Sequence, residues 1–558
     1  MTLTRVVVPV LAAAALLLPN PADACGCFAP PSSVDTVVQA GERIVFAVRN
    51  GTVISHVQIQ YAGPAQEFGW LLPLPSVPTL KLGSDEVFNE LGVRTLPTYD
   101  TTTVFACRRP TPTFGCSAPS VSAGTSVEFG SQDAGVRSPV VVQASIGPYE
   151  YAVLKADDRV EMLNWLNTNR YFIPTGTDTA VAPYIHPGAY FLALRLRAGA
   201  NTQDITPVIL EYQAQYPMIP LVLTSVGATP NMGVQVYLVG EGRGIPRNYH
   251  HVVLNDALLG WMDGSRNYQA LVTRAVSEAP GKHAFVTEYA GTSSLMKDVL
   301  APASRFGTEA DLATKTDPID FVQALYNNRF AVDDLLPSPV VRALATQLPV
   351  PAGLDPQAFF HQAGYYLTTS YRQSHPDDFA NYPPFDAATL AHEIFTSYVA
   401  PMRETNALFA EFPTLTRLFT TLSPEDMTVD PVFAFAPGLP DVSRAHAATF
   451  SVNCSDAELV TEQGWVVPQS RPGPGPTFDS TPGALRVEVL HEDGSAPEVV
   501  VDNTAGITTR FSRREAAKSA QGCAMGDPLS LVGAAALLTF ARRRRSFFSA
   551  SSPARASS

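Results

Sequence analysis

The hydrophobic period changes once along this chain, near Pro246, and that change constrains the fold more than any other feature. Before it, apolar residues come in runs of four to eight ended by Gly or Pro, as in AYFLALRLRAG, TPVILEYQ, IPLVLTSVG and MGVQVYLVG between Ala189 and Gly240. Such runs signal strands. After it, apolar residues recur at three- and four-residue steps, several behind Asp or Ser caps, in YQALVTRAVSEA, DPIDFVQALYNN, SPVVRALATQL, DPQAFFHQAGYYLTTSY and DAATLAHEIFTSYV. That spacing is helical. The expected class is α+β, with a mixed β-sheet-rich N-terminal half over 25–248 and a mainly helical region over 249–470. A linker and terminal β-hairpin follow over 471–521, and a tail over 522–558 holds a short hydrophobic C-terminal helix.

Local signals fill in this outline. In ERIVFAVRNGTVISHVQIQYAG, two β-branched runs flank Asn50-Gly51, whose residues both tolerate the positive φ of a type I′ hairpin. EFGWLLPLPSVP is too rich in Pro to stay in a central strand beyond Leu72. GSDEVFNEL, SPVVVQASIG, YEYAVLKA and DDRVEMLNWLN then alternate helix and strand. In the last of these Asp157 or Asp158 caps a helix carrying Val160, Leu163 and Leu166. RPGPGPTFDSTPG reads as a linker, and ALRVEVLHEDGSAPEVVVDNTAG as a hairpin turning near Asp493-Gly494.

The two ends read as addresses. MTLTRVVVPVLAAAALLLPNPADA has a positive start at Arg5, an apolar stretch from Val6 to Leu18 and small residues at Ala22 and Ala24, the pattern of a secretory signal peptide over 1–24. Cleavage after Ala24 leaves Cys25 first; acylation of Cys25 is an alternative that Ala22 and Asp23 disfavour. At the other end, Gly522-Cys523 precedes an uncharged run from Pro528 to Ala541 and then Arg542 to Arg545. As a helix that run reaches roughly 21 Å, short of the roughly 30 Å hydrocarbon core, and the arginines form a stop on the cytoplasmic side. Head and tail together resemble the carboxy-terminal sorting signals of myxobacterial surface proteins. The resemblance implies processing near Cys523 and retention at the cell surface, with a sorting protease and membrane lipid as partners of the tail.

Composition limits the partners. The formal net charge is -13, whereas phosphate binding needs clustered Lys and Arg, so nucleic acid is excluded as a partner. Six cysteines suit an oxidising compartment. Cys107 and Cys116 bracket CRRPTPTFGC, a loop able to double back, and are expected to pair. With Cys25 terminal and Cys523 in the tail, Cys27 and Cys454 remain as a second bridge by elimination. Cys25-Gly26-Cys27 lacks the two-residue gap of a zinc pair. No metal and no cofactor is expected.

Catalytic motifs break on inspection. His392-Glu393 begins like a zincin helix, but the position four after His392 is Thr396. Gly291-Thr292-Ser293-Ser294-Leu295 lacks the final glycine of a nucleophile elbow. Gly240-Glu241-Gly242-Arg243-Gly244 lacks the continuation of a dinucleotide loop and reads as a plain turn. The best polar cluster is EGRGIPRNYHH, where Arg243, Arg247, His250 and His251 are candidates for holding an anionic ligand, against the plainer alternative of a solvated connection. Phe359, Phe360, Tyr365 and Tyr366 fit a core helix better than a ligand box. An internal echo, EFGWLLP at 67–73 and EQGWVVP at 462–468, is either a duplicated surface strand or two strand exits packed in the core.

Several stretches resemble a bacterial exported family catalogued as domain of unknown function 2330. They are CGCF at 25–28, GERIVF at 41–46, HVQIQYAG with EFGWLLPLPS, and PTLTRLFTTLSPEDMTVDPVF at 413–433. The resemblance implies export and envelope association and brings no catalytic residue. The function expected is that of an exported, cell-surface-anchored protein with a non-catalytic binding or structural role in the envelope. The alternative is an extracellular hydrolase whose site is assembled only in three dimensions.

Overall fold

The hairpin at Asn50-Gly51 starts the architecture. Both residues take positive φ, 51° and 77°, and strands Gln39–Arg49 and Thr52–Gln58 pair antiparallel from Arg49 opposite Thr52 to Arg43 opposite Gln58. Side chains alternate across a strand, and here the two sets are buried in different cores: Val45 and Ala47 in one, Ile44 and Phe46 in the other. The hairpin therefore sits in the middle of the molecule. The computed structural model describes residues 39–58, 68–105, 139–171, 177–200, 204–330, 332, 339–380, 382, 384–452, 456–469 and 480–514, all within one compact unit that ends at Arg514.

A ten-stranded mixed sheet forms the spine, in the order Glu498–Asp502, Ala484–Val489, His250–Leu254, Ala284–Thr292, Thr414–Leu422, Ala228–Gly240, Gln39–Arg49, Thr52–Gln58, Val208–Gln213 and Thr79–Leu82. Its neighbours run antiparallel except at two places, where Gln39–Arg49 lies parallel to Ala228–Gly240 and His250–Leu254 parallel to Ala284–Thr292. Helices between Pro318 and Glu411, with helix Asp85–Thr95, bury Val87, Phe88, Phe321, Leu325, Leu390 and Phe409 together with Val45, Ala47 and Val239 of the sheet. A four-stranded sheet, ordered Gly69–Leu74, Tyr190–Leu196, Tyr149–Lys155, Val140–Ile146, contributes Trp70, Tyr149, Val153, Leu192 and Leu194 to the core that holds Ile44 and Phe46. Its other face meets Met162 and Leu166 of helix Arg159–Thr168. A five-stranded sheet ordered Ser512–Arg513, Trp465–Gln469, Ala457–Val460, Ala445–Val452, Thr98–Phe105 gathers around Trp465.

The α+β class stands, but the sheet ignores the expected division at 248. Strands His250–Leu254, Ala284–Thr292 and Thr414–Leu422, from the stretch expected to be mainly helical, share one sheet with the first hairpin. Helical periodicity there marks the layer laid over the sheet, and β-branched runs such as AFVTEYAGT and TLTRLFTTL return the chain to it. Strands Ala484–Val489 and Glu498–Asp502 pair antiparallel at the sheet's edge, and a helix at Thr504–Thr508 follows them. Other expectations need correcting in detail. IPLVLTSVG, read as a strand, contains the short helix Leu221–Thr224 after Pro220, held by the Val222 N–H donating to Asp430 Oδ1 at 2.9 Å. DPQAFFHQAGYYLTTSY breaks into three short helices. The strand at Trp70 runs through Pro73 to Leu74, which is tolerated because it is an edge strand. In helix Arg159–Thr168, capped by Asp158, the buried residues are Met162 and Leu166 while Val160 is exposed.

Candidate functional site

The stretch EGRGIPRNYHH splits into two strands rather than forming one loop. Arg243–Pro246 pairs antiparallel with Phe433–Ala436 as a two-stranded sheet, and His250–Leu254 enters the ten-stranded sheet. Gly244 N–H donates to Thr416 Oγ1 at 2.8 Å, which fixes the small sheet to the large one. The turn at 241–242 is therefore as expected, but Arg243 belongs to a strand.

The four candidate residues do not converge. Arg243 and His251 are brought together and buried, at 7% and 8% exposure. Arg247 instead donates to Glu492 and lies with its guanidinium 4.0 Å from the centre of the Tyr216 ring. His250 places Nδ1 3.2 Å from the His283 carbonyl oxygen. Around the first pair the structure adds residues that the sequence did not single out. His251 lies directly across from Glu488 in the antiparallel pair, with Nδ1 3.3 Å from Glu488 Oε2. Arg243 Nη2 donates to Thr287 Oγ1 at 2.9 Å and stands 3.5 Å from His251 Nε2. Arg486 Nε donates to Glu488 Oε1 at 2.7 Å.

These contacts fix the protonation of the ring. Nδ1 faces a carboxylate and so carries the proton; Nε2 faces a guanidinium, which has only donors, and so presents its lone pair. Burial holds the His251 imidazole below its usual range. Burial raises the Glu488 carboxyl, but its hydrogen bonds from His251 and Arg486 outweigh that and leave it below the usual carboxylate range. Burial also pulls Arg243 down to about 10, against the attraction of Glu488 and Asp441. Its Nε is buried with no hydrogen-bond partner among the described residues. Glu488 was missed because its partner is 237 positions away, and a single sequence carries no signal for a cross-strand neighbour at that distance.

Two further buried carboxyl side chains lie on the same sheet. Glu288, the extra residue in a β-bulge of strand Ala284–Thr292, accepts from Arg417 at Oε2 and from the Tyr268 hydroxyl at Oε1, the latter at 2.7 Å. Bulges re-aim a side chain in this way. Glu42, in GERIVF, is buried with Oε2 unpartnered among the described residues. Burial, with the charge of Asp430 behind it, pushes its carboxyl up to about 8. Glu42, Val234 and Thr420 are successive partners across three strands. The GERIVF and PTLTRLFTTLSPEDMTVDPVF stretches therefore flank one strand, and Phe46 and Phe433 approach to 6.0 Å between ring centroids.

The helical layer carries an aromatic surface. Phe359 and Phe360 are core, as expected, but Tyr365 is 61% exposed. Its ring packs edge-on against Tyr366 and Tyr371, at 5.0 and 5.5 Å between centroids. Tyr371 stacks on His375 at 4.1 Å, and Phe379 lies against Tyr382 at 5.0 Å. By contrast, both tryptophans of the internal echo, Trp70 and Trp465, are buried strand residues in separate cores. The duplicated-surface reading fails, since neither indole is available to a partner.

The broken motifs stay broken. His392 is exposed and its Nδ1 lies 2.9 Å from Glu309 Oε1, while Ser293 is buried and donates to the Phe409 carbonyl at 2.9 Å. Among the described residues, no group of three or more His, Cys, Asp or Glu side chains is placed to hold a metal ion, and no helix is long and apolar enough to cross a membrane. The processing positions Ala24, Cys25 and Cys523 lie outside the described residues, as do Cys27, Cys107, Cys116 and Cys454 of the expected disulfides. No curated protein and no solved structure matches the chain. A family model does match, over residues 21–320, and on that match the chain belongs to the family described as "Uncharacterized protein conserved in bacteria (DUF2330)".

Proposed function

We propose that this chain is an exported bacterial protein, retained at the cell surface through its C-terminal tail, that binds or scaffolds an envelope component without catalysing a reaction. The observation that carries the binding role is the exposed Tyr365, set in a ring cluster with the half-buried Tyr366, Tyr371, Phe379 and Tyr382. Tyrosine offers a large, stiff, amphipathic contact at low entropic cost, and Tyr365 presents such a contact with packed rings behind it. Export is supported by the leader pattern over 1–24. Anchoring is supported by Gly522-Cys523, the apolar run and Arg542 to Arg545. The partners are a sorting protease, membrane lipid and an envelope component that meets the tyrosines.

A hydrolase of the nucleophile–histidine–carboxylate kind needs a hydroxyl or thiol at the nitrogen that takes its proton. Among the described residues, the one imidazole held by a buried carboxylate, His251, presents that nitrogen to Arg243 instead. The test is co-sedimentation of the full chain with isolated envelope fragments. The wild type is expected in the pellet, and the Tyr365→Ala, Tyr371→Ala double variant is expected to lose about tenfold in affinity, the size of a modest hot spot. Equal sedimentation of both proteins would remove the tyrosines from the account.

A further inference from the structure

The His251 cluster lies on a seam. On one side is the strand pair Ala484–Val489 and Glu498–Asp502, whose intervening turn contains Gly494 at φ 74°. On the other is the short sheet Arg243–Pro246 with Phe433–Ala436 and the segment that follows it to Val442. The seam is tight: a Cβ on Gly438 would meet Gly494 at 3.0 Å, and Leu439 and Leu490 share a small core with Ile245. Arg243 Nη1 reaches the Pro440 carbonyl oxygen at 3.4 Å while its Nη2 points at His251 on strand His250–Leu254, which pairs with Ala484–Val489, so one guanidinium ties the segment at Pro440 to the strand beside the hairpin.

We infer that this seam is a pH-sensitive latch: protonation of His251 at Nε2 expels Arg243, and the two sides of the seam part. At neutral pH the ring lone pair accepts from Arg243. A second proton would set an N–H⁺ against a guanidinium 3.5 Å away inside a buried site, where the repulsion is little screened. Glu488 keeps the imidazolium, because its hydrogen bond to Nδ1 strengthens when the ring is charged; Arg243 is the group that must leave.

The charges that face the ring are few. Glu488 and Arg486 come from strand Ala484–Val489, and Arg243 comes from the short sheet with Asp441 behind it. Strand Ala284–Thr292 contributes only Phe285, opposite His251, and the neutral Thr287; Glu288 is taken by Arg417 and Tyr268. On its own strand, His250 turns to the His283 carbonyl. One proton is taken up on opening, so the open fraction rises up to tenfold for each pH unit below the ordinary histidine range.

The experiment is hydrogen exchange with mass spectrometry on the full chain at pH 7.5 and 5.5, corrected for intrinsic exchange rates. Peptides covering 436–442 and 484–502 are expected to lose up to about tenfold in protection at pH 5.5, while peptides from 228–240 do not. In His251→Gln this pH dependence is expected to vanish, and Arg243→Met, which removes the repelling group, is expected to abolish it as well. Equal protection at both pH values, or the same loss in His251→Gln, overturns the latch. Should either variant fold poorly, the nitrogen NMR shifts of His251 in the wild type decide alone: an Nδ1–H tautomer titrating below pH 6.5 is expected, and an imidazolium at pH 7 contradicts the proposal.

Discussion

Two buried arginines on the same body end up in opposite situations. Arg417, on central strand Thr414–Leu422, donates to Glu288, to the Gly92 carbonyl and to Thr95, and lies 5.8 Å from the Tyr237 ring. Burial pulls its guanidinium down, but Glu288 outweighs that and raises it above the usual arginine range. Arg243, on a two-stranded sheet, keeps an Nε unpartnered among the described residues, faces an imidazole and is pulled below that range. A charge whose hydrogen-bonding capacity is filled by a dedicated carboxylate is a staple between sheet and helix Asp85–Thr95. A charge shared between neighbours with capacity left over can be tipped by one proton.

The sharpest break of this contrast is to remove each arginine in turn. Arg417→Met strands Glu288 with 2% side-chain exposure, and urea denaturation should show a loss of about 3–5 kcal/mol. Adding Glu288→Leu should recover much of it, since an apolar pair of similar volume is often no worse than a buried ion pair. Arg243→Met should cost less, about 1–3 kcal/mol, because Glu488 keeps Arg486 and His251 as partners. Equal losses at the two positions would dissolve the distinction.

Glu42 sharpens the contrast from the acid side. Its folded pKa of about 8 exceeds the ordinary 4.5, so between those values the folded state binds the extra proton and stability falls as pH rises. The slope is about 1.4 kcal/mol per pH unit at most. Glu42→Gln should flatten the fall in urea midpoint across that window and be the more stable protein at pH 8; a variant that tracks the wild type would mean that Glu42 ionises freely. The smallest effect belongs to the surface. Arg49 and Glu411 form an ion pair with side-chain exposures of 45% and 40%, and Arg49→Ala should cost only about 0.2–1 kcal/mol and less in high salt.

What was legible in the sequence follows from how local each cause is. The Asn50-Gly51 hairpin, the Asp158 and Asp317 caps and the helices Tyr268–Val276 and Pro318–Asn327 all depend on residues within a few positions, and they were readable. Leu221–Thr224 was misread because its helical turn is fixed by Asp430, more than 200 positions away. The candidate site was half legible for the same reason. Arg243 and His251 stood out as polar residues in one stretch, whereas Glu488, Thr287 and Arg486 joined them only through sheet pairing. Tyr365 and Phe359 read as parts of one aromatic core helix in the sequence, and the break into short helices left one outside and the other in the core.

The claim on which the proposed function rests is surface retention of a processed chain, and mass spectrometry of the protein taken from its native envelope tests it most directly. The account predicts a mature N-terminus at Cys25 and no peptide containing Arg542 to Arg545, with the chain ending near Cys523. A chain that begins at Met1 and is recovered from the cytosol with its arginine tail intact would contradict it.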